Sequence, residues 1–155
     1  MKKYNVIVLL LLCVCTTYLW AQKKAVHKTT AVHKAASASA GGMAASMANG
    51  KKVYMQYCVS CHQVDGGGVQ NMNPPLINTS YVLGDKAKLV SIIQNGFKEN
   101  VEINGDTYSN NMPSFSYLKD QEAADVLTYV RNSFGNKASA VTVKEVTALK
   151  AAMKK

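Results

Sequence analysis

The sequence predicts an all-α fold of three to four core helices joined by long loops, with a short additional helix near the C-terminus. Apolar residues recur at helical spacing in two segments that each follow a capping aspartate and end at a glycine. These segments are Lys86–Asn95 after Asp85 and Gln121–Phe134 after Asp120. Strand patterns are weak, and only Val101–Asp106, with an Asn-Gly turn, is typical of a loop or short hairpin.

An earlier helix is predicted to lead into a pair of cysteines. Val53, Tyr54 and Tyr57 form one apolar face, because they lie at i, i+1 and i+4. Gly50 lies one turn before Tyr54 on the same side. A glycine at that place lets another helix come close.

The cysteine pair is Cys58-Val59-Ser60-Cys61-His62, the pattern of covalent haem attachment. Two thiols at this spacing at the end of a helix reach the two vinyl groups of one porphyrin edge, and the next imidazole ligates the iron. A redox dithiol or half of a zinc site shares the Cys-x-x-Cys spacing, but the immediate histidine favours haem. A haem also gives the long loops something to pack around.

The length of the chain suggests one domain, and the distribution of its charge argues against nucleic acid as a binding partner. A chain of 155 residues is typical of one domain, and its formal charge of +9 would suit an anionic partner. Residues 50–136, however, contain seven basic and eight acidic side chains, so the positive excess lies at the two ends of the chain. Nucleic acid is therefore not an expected partner.

The N-terminus is typical of an exported protein. Residues 1–21 combine Lys2 and Lys3 with the apolar run Val6–Val14 and are interpreted as a secretory signal, the alternative being an uncleaved membrane anchor. Export to the periplasm agrees with haem attachment, which takes place outside the cytoplasm in bacteria. Cleavage would leave Cys58 and Cys61 as the only thiols. A membrane is expected as a partner only through an uncleaved N-terminus.

Composition divides the rest of the chain into three parts. Residues 22–49 are a low-complexity linker rich in Lys, Ala, Ser and Thr, residues 50–136 form the domain, and residues 137–155 form a basic tail. In the tail, Thr142 and Glu145 form a capping-box pattern that predicts a short helix. This helix either packs back on the domain or docks a partner, and its late lysines also simply suit the helix dipole.

From Gly50 to about Asn136 the chain resembles a class I c-type cytochrome, which implies the cytochrome c fold around one covalent haem. The residues that carry the resemblance are Gly50, Tyr54, Cys58, Cys61, His62, Pro74 or Pro75 with Leu76, Met112-Pro113 with Phe115, and Val126 with Tyr129. The resemblance implies that the first helix, at Gly50 and Tyr54, crosses the last, at Val126 and Tyr129.

The expected haem ligands are His62 and Met112. His62 is the proximal ligand, and the resemblance points to the carbonyl of Pro74 or its neighbour as acceptor of its other N–H. Met112 is a soft donor far beyond His62, on a loop stiffened by the next proline, whereas Met72 follows His62 closely and is a poorer candidate.

Propionate contacts are less defined. The only tryptophan, Trp20, lies in the signal segment, so a tryptophan donor is missing from the domain. Tyr81, Tyr108 and Asn110 remain open as substitutes.

Two protein ligands leave the iron no open position, which predicts an electron carrier. Together with the exported N-terminus, this gives a periplasmic carrier. We expect it to be a monomer. It would shuttle single electrons between respiratory or dehydrogenase partners through weak, transient contacts. The alternatives are a haem enzyme or a gas or peroxide sensor with a labile sixth ligand, and the haem subunit of a larger oxidoreductase. The enzyme alternative lacks a distal histidine in the domain, and Arg131 lies on the last helix.

Overall fold

The computed structural model describes residues 42–153, so the predicted signal segment and most of the linker lie outside the described residues. The elements in chain order are α1 (42–57), α2 (Val59–His62), α3 (Ser80–Leu83), α4 (Lys86–Asn95), β1 (Val101–Ile103), β2 (Asp106–Tyr108), α5 (Asp120–Asn132) and α6 (Val143–Met153). The predicted helical class is confirmed, with a small hairpin added. Within residues 42–153, no helix is long and apolar enough to cross a bilayer.

The α4 helix has the boundaries that its sequence predicts. The Asp85 carboxylate accepts a hydrogen bond from the Ala87 N–H at 2.8 Å and so caps the N-terminus. At the other end the Gly96 N–H donates to the Ile92 carbonyl, and Gly96 has a φ of +78°. A positive φ is easiest for glycine, which explains why the helix stops there.

The α5 helix differs from its prediction at both ends. Its N-cap is Lys119 rather than Asp120, and the Lys119 N–H donates to the Glu122 carboxylate at 2.9 Å. The helix ends at Asn132 rather than Phe134. The reason is that Ser133 already has an extended backbone, with φ of −115° and ψ of 175°, and Phe134 follows with a φ of +58°.

Helices α1 and α5 cross in direct backbone contact. A Cβ on Gly50 would lie 2.0 Å from the Asp125 carbonyl oxygen and 2.7 Å from the Tyr129 Cβ, so only glycine fits. Next to it, fully buried Tyr54 packs against Tyr129 with ring centroids 5.4 Å apart and shares an apolar cluster with Val126. The crossing that the resemblance implies is therefore present.

The hairpin pairs β1 and β2 in antiparallel register, with Val101 opposite Tyr108. Its turn residues, Asn104 and Gly105, have φ values of +55° and +88°, as hairpin turns with the sequence Asn-Gly require. Val101, Ile103 and Tyr108 are buried together as one small apolar cluster.

The tail packs back on the domain through α6. Val146 is fully buried against α4 and α5, in the same cluster as Leu89 and Leu127. Thr142 and Glu145 form the predicted reciprocal cap, since the Thr142 N–H donates to the Glu145 carboxylate at 2.7 Å and the Glu145 N–H to the Thr142 hydroxyl at 3.2 Å. Packed structure thus continues beyond residue 136, and at the other end α1 includes residues 42–49 of the predicted linker.

Candidate functional site

A cavity of about 400 Å³ lies between α1, α4 and α5, with Cys58, Cys61 and His62 in its wall. Its lining is mainly apolar and includes Leu76, Val82, Ile93, Phe97, Leu127 and Val130. Size and lining are those of a site for an organic cofactor. A wider and more open groove between α4 and α6 contains none of the three motif residues.

The two cysteines lie at the junction of α1 and α2. The His62 N–H donates to the Cys58 carbonyl at 3.0 Å, so the motif forms one helical turn with both thiols on one side. Burial, with a smaller contribution from Cys61, raises the pKa of the free Cys58 thiol to about 11. Reactive cysteines of Cys-x-x-Cys oxidoreductases have lowered pKa values, so this environment does not suit a redox dithiol.

The zinc alternative lacks further ligands. Within the described part of the chain, no group of three or more His, Cys, Asp or Glu side chains could hold a metal ion. A structural zinc site needs four such ligands. Of the three readings of the motif, haem attachment is the one that the surroundings fit.

His62 is buried and held in one orientation. Its Nδ1 lies 3.0 Å from the Pro74 carbonyl oxygen, which can only accept, so the proton is on Nδ1 and the lone pair is on Nε2. Burial lowers the pKa of His62, and the bond to Pro74 opposes this only in part. A neutral, oriented imidazole is the form that ligates a metal. Of the carbonyls that the resemblance suggests, the acceptor is that of Pro74.

The loop that carries Pro74 is tied to the rest of the domain by Asn136, a residue that sequence reasoning missed. The buried Asn136 amide donates to the carbonyls of Leu76 and Val130, both at 2.8 Å, and its oxygen accepts from the Asn78 N–H at 2.8 Å. No periodicity or motif marks this residue in the sequence. A single asparagine just past α5 thus supports the segment that orients His62.

Met112 lines the same cavity as the cysteine motif. It is the only methionine among the cavity-lining residues of the described chain. Its backbone pairs with Phe97 in both directions, at 2.8 and 2.9 Å. Met72, by contrast, is 48% exposed and outside the lining, in agreement with its lower ranking from sequence.

The three candidates for propionate contacts differ in whether they line the cavity. Tyr81 and Asn110 line the cavity, whereas Tyr108 does not. Tyr108 is instead buried in the hairpin cluster, directly opposite Val101, its partner on β1. Contact of Tyr81, Asn110 or Tyr108 with a propionate stays a prediction, and the first two are better placed because they line the cavity. Glu99, which was not expected from sequence, also lines the cavity.

These residues fit a covalently attached haem. A thiol pair, a neutral imidazole and a thioether line one apolar cavity, and this donor set suits the iron and the vinyl groups of a c-type haem.

Comparisons with known proteins show the family to which the chain belongs. The sequence model of the family described as Cytochrome c matches residues 47–134. A cytochrome c-552 of Thermus thermophilus is 35% identical over 100 residues, which are 62% of this chain and 67% of that protein.

Subunits of dehydrogenases are also similar, but over a smaller part of their length. The cytochrome c subunit of the quinone alcohol dehydrogenase of Gluconacetobacter polyoxogenes is 38% identical over 65% of this chain and 22% of that subunit. The gluconate 2-dehydrogenase cytochrome c subunit of Pantoea cypripedii is 33% identical over 65% of this chain and 24% of that subunit. This chain therefore spans about a quarter of such subunits.

Proposed function

This chain belongs to the cytochrome c family and carries electrons on haem, and from that premise we propose its ligand set. Cys58 and Cys61 attach the porphyrin as thioethers, and His62 and Met112 are the two axial ligands of the iron. The observation that carries the proposal is that the complete cysteine–histidine motif and Met112, the one cavity-lining methionine of the described chain, share an apolar cavity.

Each ligand has a role that follows from its surroundings. When bound, haem supplies a one-electron iron couple. The Pro74 carbonyl fixes the ring of His62 and raises its basicity, while the Met112 thioether favours the reduced state and so raises the potential. The apolar walls exclude water from the site. With both axial positions held by the chain, no position remains for a substrate, as suits a carrier.

For location and partners we propose a one-electron shuttle in the periplasm. The N-terminal charge and apolar pattern of residues 1–21 supports export. Similar proteins are a cytochrome c-552 and cytochrome subunits of dehydrogenases, which supports a dehydrogenase or respiratory complex as donor or acceptor. A carrier of this kind binds its partners weakly and transiently.

A second candidate is a fixed haem subunit of a larger oxidoreductase. It is favoured by the 38% identity to part of an alcohol dehydrogenase cytochrome c subunit. Purification from the native envelope separates the two candidates. A free carrier elutes alone, while a subunit co-elutes with a dehydrogenase in fixed proportion at high salt.

The ligand assignment is tested by Met112→Ala in an export-competent host. We expect the variant to keep its haem through extraction with acidic acetone, because Cys58 and Cys61 are unchanged. It should lose the low-spin spectrum and the sulfur-to-iron charge-transfer band, and it should bind carbon monoxide. Met72→Ala, which removes an exposed methionine, is the matched control and should keep the wild-type spectrum.

Two results would contradict the proposal. An unchanged spectrum in Met112→Ala would show that another residue is the sixth ligand. Rapid carbon monoxide binding by the reduced wild-type protein would favour the sensor or enzyme alternative.

A further inference from the structure

The C-terminal end of α4 is covered by the segment that carries Met112. The last carbonyls of a helix have no partner within the helix. In α4, the Ile93 carbonyl accepts from the Phe115 N–H at 2.8 Å, and the Gln94 carbonyl accepts from the Ser114 hydroxyl at 2.6 Å. The residues that follow Met112 thus satisfy the end of a helix distant in sequence.

Backbone pairing continues this contact one residue beyond the helix. The Phe97 N–H donates to the Met112 carbonyl at 2.9 Å, and the Met112 N–H donates to the Phe97 carbonyl at 2.8 Å. A Cβ on Gly96 would lie 2.5 Å from the Met112 carbonyl oxygen and 3.0 Å from the Ser114 nitrogen. Gly96 therefore both ends α4 and leaves the room in which the Met112 segment lies.

We propose that this contact, the α4 latch (Ile93–Phe97 with Met112–Phe115), holds Met112 in place as sixth ligand and that Ser114 is its positioning residue. The inference rests on the proposed ligation by Met112. Three of the four hydrogen bonds of the latch are between backbone groups, and the fourth is that of the Ser114 hydroxyl. Ser114 is thus the residue whose side chain contributes a hydrogen bond to the latch and can be substituted to weaken it.

The Ser114 hydroxyl also orders the residues that follow. Besides donating to Gln94, its oxygen accepts from the Ser116 N–H at 3.2 Å. Because Ser114 is exposed, a threonine has room there and keeps both bonds. Ser116 offers a matched control, since it is exposed and its own hydroxyl makes no hydrogen bond within residues 42–153.

The test uses the holoprotein from an export-competent host with Ser114→Ala, Ser114→Thr and Ser116→Ala. One readout is the rate at which cyanide binds the oxidised protein, because cyanide enters only when the sixth ligand has left. The other is amide hydrogen exchange at Met112 and Phe115, with Val146 on α6, outside the latch, as the reference. Loss of one hydrogen bond at the latch should raise cyanide binding and local exchange about fivefold in Ser114→Ala.

The two control variants should remain within about twofold of wild type. Val146, which lies on α6 and makes none of the latch hydrogen bonds, should exchange at the wild-type rate in Ser114→Ala. Equal values for Ser114→Ala and Ser116→Ala, or faster exchange that includes Val146, would overturn the latch while leaving Met112 as ligand. Retention of the charge-transfer band in Met112→Ala would overturn the ligand assignment and the latch together.

Discussion

Truncation of Val146 tests whether α6 belongs to the cooperative domain. The helix lies outside residues 47–134, the part that matches the family, yet the Val146 side chain is 0% exposed. It packs in one cluster with Leu89 and Leu127, both of which line the cavity. If α6 is a structural part of the domain, Val146→Ala must lower the free energy of unfolding of the whole protein.

The expected loss follows from the two carbon atoms removed. Burial of each such group contributes about 0.8 kcal/mol, so their transfer accounts for about 1.6 kcal/mol. The cavity left between three helices adds to this, which gives about 2 to 3 kcal/mol in total. For a domain of this size the melting temperature should fall by roughly 10 °C.

Urea unfolding of the holoprotein, followed by circular dichroism, measures this loss. Met153→Ala is the control, because it removes apolar atoms from the exposed end of the same helix and should change stability by less than about 0.5 kcal/mol. A loss for Val146→Ala as small as that of the control would refute the reasoning. In that case α6 would be a docked tail that detaches before the domain unfolds.

Two further predictions concern the helix crossing and acid stability. Gly50→Ala should cost about 3 kcal/mol, measured by urea unfolding, because its Cβ would lie 2.0 Å from the Asp125 carbonyl; an unchanged midpoint would show that α1 moves freely. Hydrogen bonds from Lys86 and then Thr142 lower the pKa of Glu145 from 4.5 to about 2, so its stabilisation is present above pH 4.5 and is lost as the pH falls towards 2. Glu145→Gln should therefore remove this loss of stability between pH 4.5 and 2. The difference should be less than about 1 kcal/mol, since the side chain is 40% exposed. A pH dependence of stability identical to that of wild type would contradict the pairing.

Local patterns in the sequence were sufficient for much of the fold and for the cofactor. The cysteine–histidine motif identified the cofactor, and Met112 was preferred to Met72 from its place on a long loop. The boundaries of α4 followed from Asp85 and Gly96. Each of these features depends on residues close together in the chain, so it can be predicted without the tertiary structure.

Features that depend on distant backbone groups were not predictable. Asn136 and Ser114 act on carbonyls from other parts of the chain, and nothing in their sequence neighbourhood marks those partners. The sequence could not rank Tyr81, Tyr108 and Asn110 either, because only the packing of the hairpin places Tyr108 outside the cavity lining.

The contact between Gly50 and Asp125 also constrains the order of assembly. It joins the first helix to the fifth, so it closes nearly the whole domain into a loop and forms only once α5 exists. Cys58 and Cys61, in contrast, need only their own short stretch of chain to be presented to an attaching enzyme. Nothing in the Gly50–Asp125 contact therefore requires the domain to close before the cofactor is attached.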